Sequence, residues 1–309
     1  MRKIIGIGET VLDIVFKDNQ PIGAFPGGSV LNAMISLGRA GVETIFISEA
    51  GNDRLGEQVI HFLKENNINT SLVNRFPNGQ SPISLAFLDK DNNAEYLFYK
   101  NHQQDHLDFV YPDIQPDDIV IVGSYFAVNP AVRPQVMGLL DYAHNHGAII
   151  YYDVNYRPAH RNDVMKITPN LLENYEYADF VRGSREDFET LYHATDPDKI
   201  YNAEISFYCK KFILTQGKES VEIRAEGNYR KSYHVQPMET VSTIGAGDNF
   251  NAGFLYGLLK GGITRAHIER GLTADEWDKT VAYAQLFSAE CCKHIQNYVS
   301  KAFGESLKG

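Results

Sequence analysis

The sequence predicts an α/β protein of three layers, a mainly parallel central sheet covered by helices on both faces, with a small antiparallel β lid. Three observations carry that expectation. Strand-like apolar runs alternate with helical ones along most of the chain. Two segments break the alternation with an apolar–polar period of two. Finally, 309 residues, 43% of them hydrophobic, are enough to bury one large core. Residues 1–309 read as a single domain, with no linker or repeat to divide them.

In chain order, KIIGIG forms the first strand and 29–40 the first helix. ETIFISEAG with 55–66, DIVIVGSY with 130–146, AIIYYDVN with 161–175 and ADFVRGS with 184–192 repeat the unit, and KFILTQG adds a last strand. Such βαβ repeats lay parallel strands side by side. Residues 11–28 and 81–100 (SPISLAFLDKDNNAEYLFYK) instead alternate apolar with polar around a DNN turn, as half-exposed antiparallel strands do. They are the expected lid.

A formal charge of −10 argues against a broad basic surface, and so against nucleic acid or anionic membrane as partner. A small-molecule partner is implied. MRKIIGIGETVLDIVF is interrupted by Glu9 and Asp13 and has no small-residue cleavage site, so it reads as a strand and not as a signal peptide. No run of about 18 apolar residues occurs, which excludes a membrane-spanning helix. Cys209, Cys291 and Cys292 make neither a disulfide framework nor a C-x-x-C metal pair. A cytoplasmic protein with reduced thiols is expected.

The chemistry concentrates in TIGAGDNFNAGF, residues 243–254, where a small-residue loop meets a run with apolar residues at helical spacing. Gly245, Ala246 and Gly247 lack bulk, so several backbone N–H groups can converge on an anion at the positive end of the helix that follows. Asp248 then stands within reach of whatever receives that anion. A P-loop is excluded because no Gly-Lys-Ser/Thr occurs. Gly6 and Gly8 begin a dinucleotide fingerprint, but Val11 replaces its third glycine. His102 and His106 in HQQDH lack the glutamate of a zinc-binding H-E-x-x-H.

These residues resemble the ribokinase-like sugar kinases, the phosphofructokinase-B family, whose signature near the C-terminus is D-T-x-G-A-G-D. Further motifs follow in the family's order: GETVLD (8–13), PGGSVLNAMISLGRAG (26–41), GNDRLGE (51–57), DVNYRP (153–158), a form typical of fructokinase-like members, and LTQGKES (214–220). The resemblance implies an ATP-dependent kinase with Asp248 as catalytic base and the amides of Ala246, Gly247 and Asp248 as the hole for the transferred group. It implies that Asp13, Gly27, Gly28 and Asn32 hold sugar hydroxyls, with Arg157 reaching a substrate or phosphate oxygen. Thr215, Gly217 and Gln285 would lie on the nucleotide side, and Glu186 and Asp187 would serve Mg²⁺. The expected acceptor is fructose, with 2-keto-3-deoxygluconate, ribose or a nucleoside as alternatives inside the fold and a non-catalytic sugar- or nucleotide-binding protein as an alternative outside it. Three positions depart from the family pattern. Ser242 replaces the first Asp of the signature, a carboxylate associated with a monovalent-cation site, so activation by K⁺ is not expected. Ser184-Arg185-Glu186-Asp187 stands for N-x-x-E, and Ser220 replaces a glycine of the nucleotide loop. The lid, apolar at Phe16, Leu85, Phe87 and Leu97 on one face, is expected to pair with a second copy and form a homodimer.

Overall fold

The computed structural model describes residues 2–77, 79–90, 94–99 and 107–308. The DNN turn at 91–93 and HQQDH at 102–106 lie outside them. The chain falls into two compact units, one of Met1–Val110, Met238–Gly262 and Asp275–Gly309, the other of Tyr111–Pro237 and Ile263–Ala274. Mainly parallel strands flanked by helices, with a separate small sheet, realise the expected fold class.

The first unit contains β1 (Ile4–Ile7), β2 (Val11–Lys17), β3 (Gln20–Gly27), β4 (Thr44–Gly51), β5 (Ile68–Asn69), β6 (Val73–Phe76), β7 (Ile83–Leu88) and β8 (Ala94–Tyr99). β1 pairs in parallel with β4, and β4 in parallel with β5 and β6. All four residues of β1 and the last six of β4 are buried. A continuous apolar run of this kind is what a strand covered on both faces requires. Helix Ser29–Arg39 follows the glycine pair, with Gly28 (φ 130) outside the range a side chain tolerates and residues 30–39 buried. Asp53 caps helix Arg54–Glu65 by accepting from the Gly56 amide at 2.8 Å.

The separate sheet has the order β3-β2-β7-β8. Asp18 and Asn19, with φ of 51° and 60°, turn the β2–β3 hairpin, residues that accept the left-handed conformation at modest cost. The two hairpins are antiparallel, and they join through a parallel β2–β7 pairing. Register sets Leu12, Ile14 and Phe16 beside Ile83, Leu85 and Phe87, and these beside Tyr99 and Leu97, on one apolar face. The Phe16 and Phe87 rings stack at 4.9 Å there. On the opposite face Val15 and Ala86 pack with Ile244, the residue before the glycine loop, and Asp13 pairs with Ser84.

The second unit carries β9 (Ile119–Gly123), β10 (Ile149–Asp153), β11 (Phe180–Ser184), β12 (Lys211–Thr215), β13 (Ser220–Ala225) and β14 (Tyr229–His234), in the order β14-β13-β12-β11-β10-β9. β9 to β12 are parallel, and β13 and β14 close the edge antiparallel. The sequence reading carried DIVIVGSY on as strand, but β9 stops at Gly123 and Ser124 (φ 60) turns the chain into helix Ser124–Val128. It also missed the β13–β14 hairpin. β14, YRKSYH, alternates half-buried with exposed and carries little apolar signal.

Candidate active site

Gly245 occupies the left-handed region (φ 77) and caps helix Ala246–Lys260, which puts Asp248 in that helix's first turn. A side chain at Gly245 is ruled out twice, by φ and by space: a Cβ there would lie 2.4 Å from the Asn297 carbonyl oxygen. The first-turn amides of a helix have no intrahelical acceptor and present partial positive charge. One of the three expected donors is turned elsewhere, since the Ala246 amide donates to the Thr243 carbonyl at 3.1 Å. Ser242 is fully buried, and its hydroxyl accepts from the Ile244 amide at 3.1 Å. The residue that replaces a carboxylate therefore shapes the approach to the loop.

The Asp248 carboxylate is buried and held at both oxygens: the Ser29 hydroxyl donates to Oδ1 and the Asn32 amide to Oδ2, each at 2.8 Å. Both donors are neutral, so they orient the carboxylate without neutralising it. Asp13 is held in the same way, by the Ser84 hydroxyl from β7 of the separate sheet and by Asn297 Nδ2 at 2.7 Å. Gly27 is required beside it, because a Cβ there would meet Asp13 Oδ2 at 2.1 Å. Asp13, Gly27, Gly28, Asn32 and Asp248 are thus gathered into one constellation within the first unit. Asn32 reaches Asp248 directly, a contact the sequence reading did not anticipate. Sequence reasoning also missed Ser29, Ser84, Asn249 and Asn297. Ser29 alone carried a signal, as the residue after the glycine pair at a helix start.

In the second unit, Arg182 lies at the centre of a buried cluster. It donates to Asp153 at 2.9 Å and to the Thr215 hydroxyl at 2.7 Å. Burial works against its charge, but Asp153 and further anions hold the guanidinium's pKa above its ordinary value. Asp187 accepts from the Tyr156 amide at 2.7 Å, the Ser184 amide at 2.6 Å and the Ser184 hydroxyl at 2.8 Å, closing a capping box. Burial first, and then the Asp153 charge, push its carboxyl up to about 6. Glu186 is exposed. The two residues expected at a metal are therefore not brought together, and among the described residues no group of three His, Cys, Asp or Glu could hold an ion. Thr215 ends β12, and Gly217 (φ 57) turns the loop that the Ser220 hydroxyl ties to Gln216 at 3.0 Å. Arg157 is half-buried before the 3-10 helix Pro158–Asp163, and Gln285 half-buried on helix Ala274–Cys292. Cys291 lies 3.4 Å from the Ile244 carbonyl, its thiol pKa raised well above the ordinary range, by burial above all.

A small-residue loop on a helix N-terminus, with an oriented carboxylate inside its first turn, marks an enzyme that moves an anionic group onto a small molecule. The chain belongs to the pfkB family of carbohydrate kinases, whose family model, "pfkB family carbohydrate kinase", matches residues 1–291. It is similar to the 5-dehydro-2-deoxygluconokinase of Geobacillus thermodenitrificans, 29% identical over 266 residues that cover 81% of this chain and 77% of that one. The enzyme of the same name from Geobacillus kaustophilus is 30% identical over 76% of this chain and 73% of its own. Among solved structures, a fructokinase from Vibrio cholerae with fructose, ADP and calcium bound superposes with a TM-score of 0.84 at 18% identity, covering 99% of each chain. Among the described residues no helix is long and apolar enough to cross a membrane.

Proposed function

We propose that the protein is an ATP-dependent sugar kinase that transfers the γ-phosphoryl group of ATP to a primary hydroxyl of a monosaccharide, with Asp248 as the base. The observation that carries this reading is the buried Asp248 carboxylate in the first turn of helix Ala246–Lys260, oriented by Ser29 and Asn32. Phosphoryl transfer asks mainly for positioning and for stabilisation of charge spread over the transferred oxygens. Gly245–Gly247 supply the loop and the helix end, and Asp248 takes the hydroxyl proton as the oxygen attacks. Asp13, Gly27, Gly28 and Asn32 hold further hydroxyls. Arg157 meets an anionic oxygen, and Thr215, Gly217 and Gln285 serve the nucleotide. Mg²⁺ enters with ATP, whose phosphate charge it offsets when bound. Glu186 keeps an exposed carboxylate for a contact through water, whereas the Asp187 oxygens are already engaged.

For the acceptor, PGGS (26–29) and DVNYRP (153–158) favour fructose. A second reading, a keto-deoxy sugar acid, is favoured by the Geobacillus relatives named 5-dehydro-2-deoxygluconokinase. Coupled ADP release with ATP, Mg²⁺ and a panel of fructose, 5-dehydro-2-deoxygluconate, 2-keto-3-deoxygluconate, ribose and adenosine separates them. Fructose is expected to give the highest kcat/KM. A sugar acid preferred by about tenfold, some 1.4 kcal/mol, transfers the assignment to the second reading. ADP release with none of the panel leaves the non-catalytic binding protein. The protein is read as cytoplasmic and as a homodimer formed by pairing the apolar lid face around Phe16 and Phe87 with that of a second copy. Light scattering at micromolar concentration is expected to give twice the chain mass, and the mass of one chain would refute the pairing.

A further inference from the structure

Asn297 is fully buried and follows the last long helix. Its side chain and its backbone do different things. Nδ2 donates to Asp13 Oδ2 at 2.7 Å, across 284 residues of sequence. Its carbonyl oxygen accepts from Asn249 Nδ2 at 2.8 Å, and the same Nδ2 donates to the Gly245 carbonyl, also at 2.8 Å. The left-handed turn at Gly245 packs against that Asn297 carbonyl, so closely that no Cβ fits between them. Asn249 is anchored in turn by Ser36, whose hydroxyl donates to Asn249 Oδ1 at 2.5 Å and accepts from the Val299 amide at 3.1 Å.

One atom of Asn297 stands out: Oδ1 is buried and accepts no hydrogen bond from the described residues. An asparagine kept only for packing or for loop structure would be expected to satisfy both ends of its amide, since an unpartnered buried acceptor is costly. Here the amide is oriented by its donation to Asp13, and the opposite end goes without. We propose that Asn297 is a positioning residue for phosphoryl transfer, setting the Asp13 carboxylate and the Gly245–Asp248 loop against a common support. Asp13 would then meet the acceptor hydroxyls at a fixed distance from the base and the transferred group. The inference rests on the proposed function, in which Asp13 binds the acceptor.

Asn297→Asp tests it, because shape and backbone carbonyl are kept while the donor is lost. Two carboxylates then face each other and hold one proton between them at low pH, which restores a donor, and repel when both ionise. Acceptor KM and ATP KM are measured for wild type and variant with whichever panel compound turns over. At about pH 8.5 acceptor KM is expected to rise at least about tenfold over wild type, at about pH 5.5 by less than about threefold, and ATP KM by less than about twofold at either. A variant-to-wild-type ratio that does not change with pH, or an equal rise in both KM values, overturns the proposal. Should Asn297→Asp not fold, Asn297→Ser decides: acceptor KM raised about fivefold at every pH with ATP KM unmoved supports the role, and no selective rise in acceptor KM overturns it. If wild type releases no ADP with the entire panel, the sugar-kinase reading falls first and takes this proposal with it.

Discussion

Two buried carboxylate clusters, one in each unit, use the same residue type in opposite ways. Around Asp248 and Asp13 the donors include the neutral hydroxyls and amides of Ser29, Asn32, Ser84 and Asn297, which fix the direction of each carboxylate. Around Asp153 the partner is a buried guanidinium that offsets its charge, and around Asp187 the amides and hydroxyl of a helix cap fix the carboxyl while burial and Asp153 press against its ionisation. Proximity to a motif therefore does not make a carboxylate chemically available. Its partners decide that.

Asp248 is where a substitution is expected to act most strongly. Asp248→Asn keeps size and helix-start character but removes the proposed base, so kcat is expected to fall by on the order of 10²–10⁴-fold while sugar and ATP affinities move by less than about tenfold. An asparagine would serve a mere cap nearly as well. Steady-state kinetics with calorimetric binding on the folded variant checks this, and kcat within about fivefold of wild type would remove Asp248 from the chemistry.

The opposite behaviour is expected of Arg182. Arg182→Met leaves Asp153 and Asp187 buried without their guanidinium, and breaking such a buried pair costs about 3–5 kcal/mol of folding stability. Urea unfolding reads that loss directly. A loss under about 1 kcal/mol would show the second cluster to be solvated and not structural.

Between those two, Asp187 supplies a pH signature. Its carboxyl is raised to about 6 in the folded chain against 3.8 ordinarily, so between those values the folded state binds more protons than the unfolded one. This group's contribution to stability is therefore most favourable below about pH 4, declines as pH rises through the window, and is lost above about pH 6, a change of about 2–3 kcal/mol. Asp187→Asn removes that slope. The stability difference between variant and wild type, measured by denaturant unfolding at about pH 4 and pH 7, is expected to shift in the variant's favour by that amount as pH rises. An unchanged difference would mean that Asp187 titrates normally. The smallest expected effect is at Ser242, which offers the loop a hydroxyl and no charge. Exchanging Na⁺ for K⁺ at constant ionic strength is expected to change turnover by less than about twofold. A large stimulation would show that backbone carbonyls alone build a cation site there.

Much of this is legible in the sequence alone. The βαβ rhythm placed the parallel strands, because a strand buried on both faces must be apolar throughout and a covering helix must show its own period. The period-two segments 11–28 and 81–100 were legible as strands of a small separate sheet for the same reason, and GAGD as a helix start, since positive φ at glycine and open first-turn amides are local properties. Even so, the β13–β14 hairpin escaped, its outer strand carrying charges where apolar alternation would have signalled it.

The sequence by itself determined most of the elements, the glycine loop and the candidate base, because each depends on residues within a few positions of one another. Only the tertiary structure decided what each carboxylate faces. Asn297 comes to Asp13 across 284 residues, Ser29 to Asp248 across 219, and Asp187 to the Tyr156 amide across 31. A hydrogen bond between distant residues leaves no period and no spacing in the chain. It is set by how buried faces pack, and that packing brought the Tyr156 amide to Asp187 and made Asn297 the support that Asp13 shares with the glycine loop.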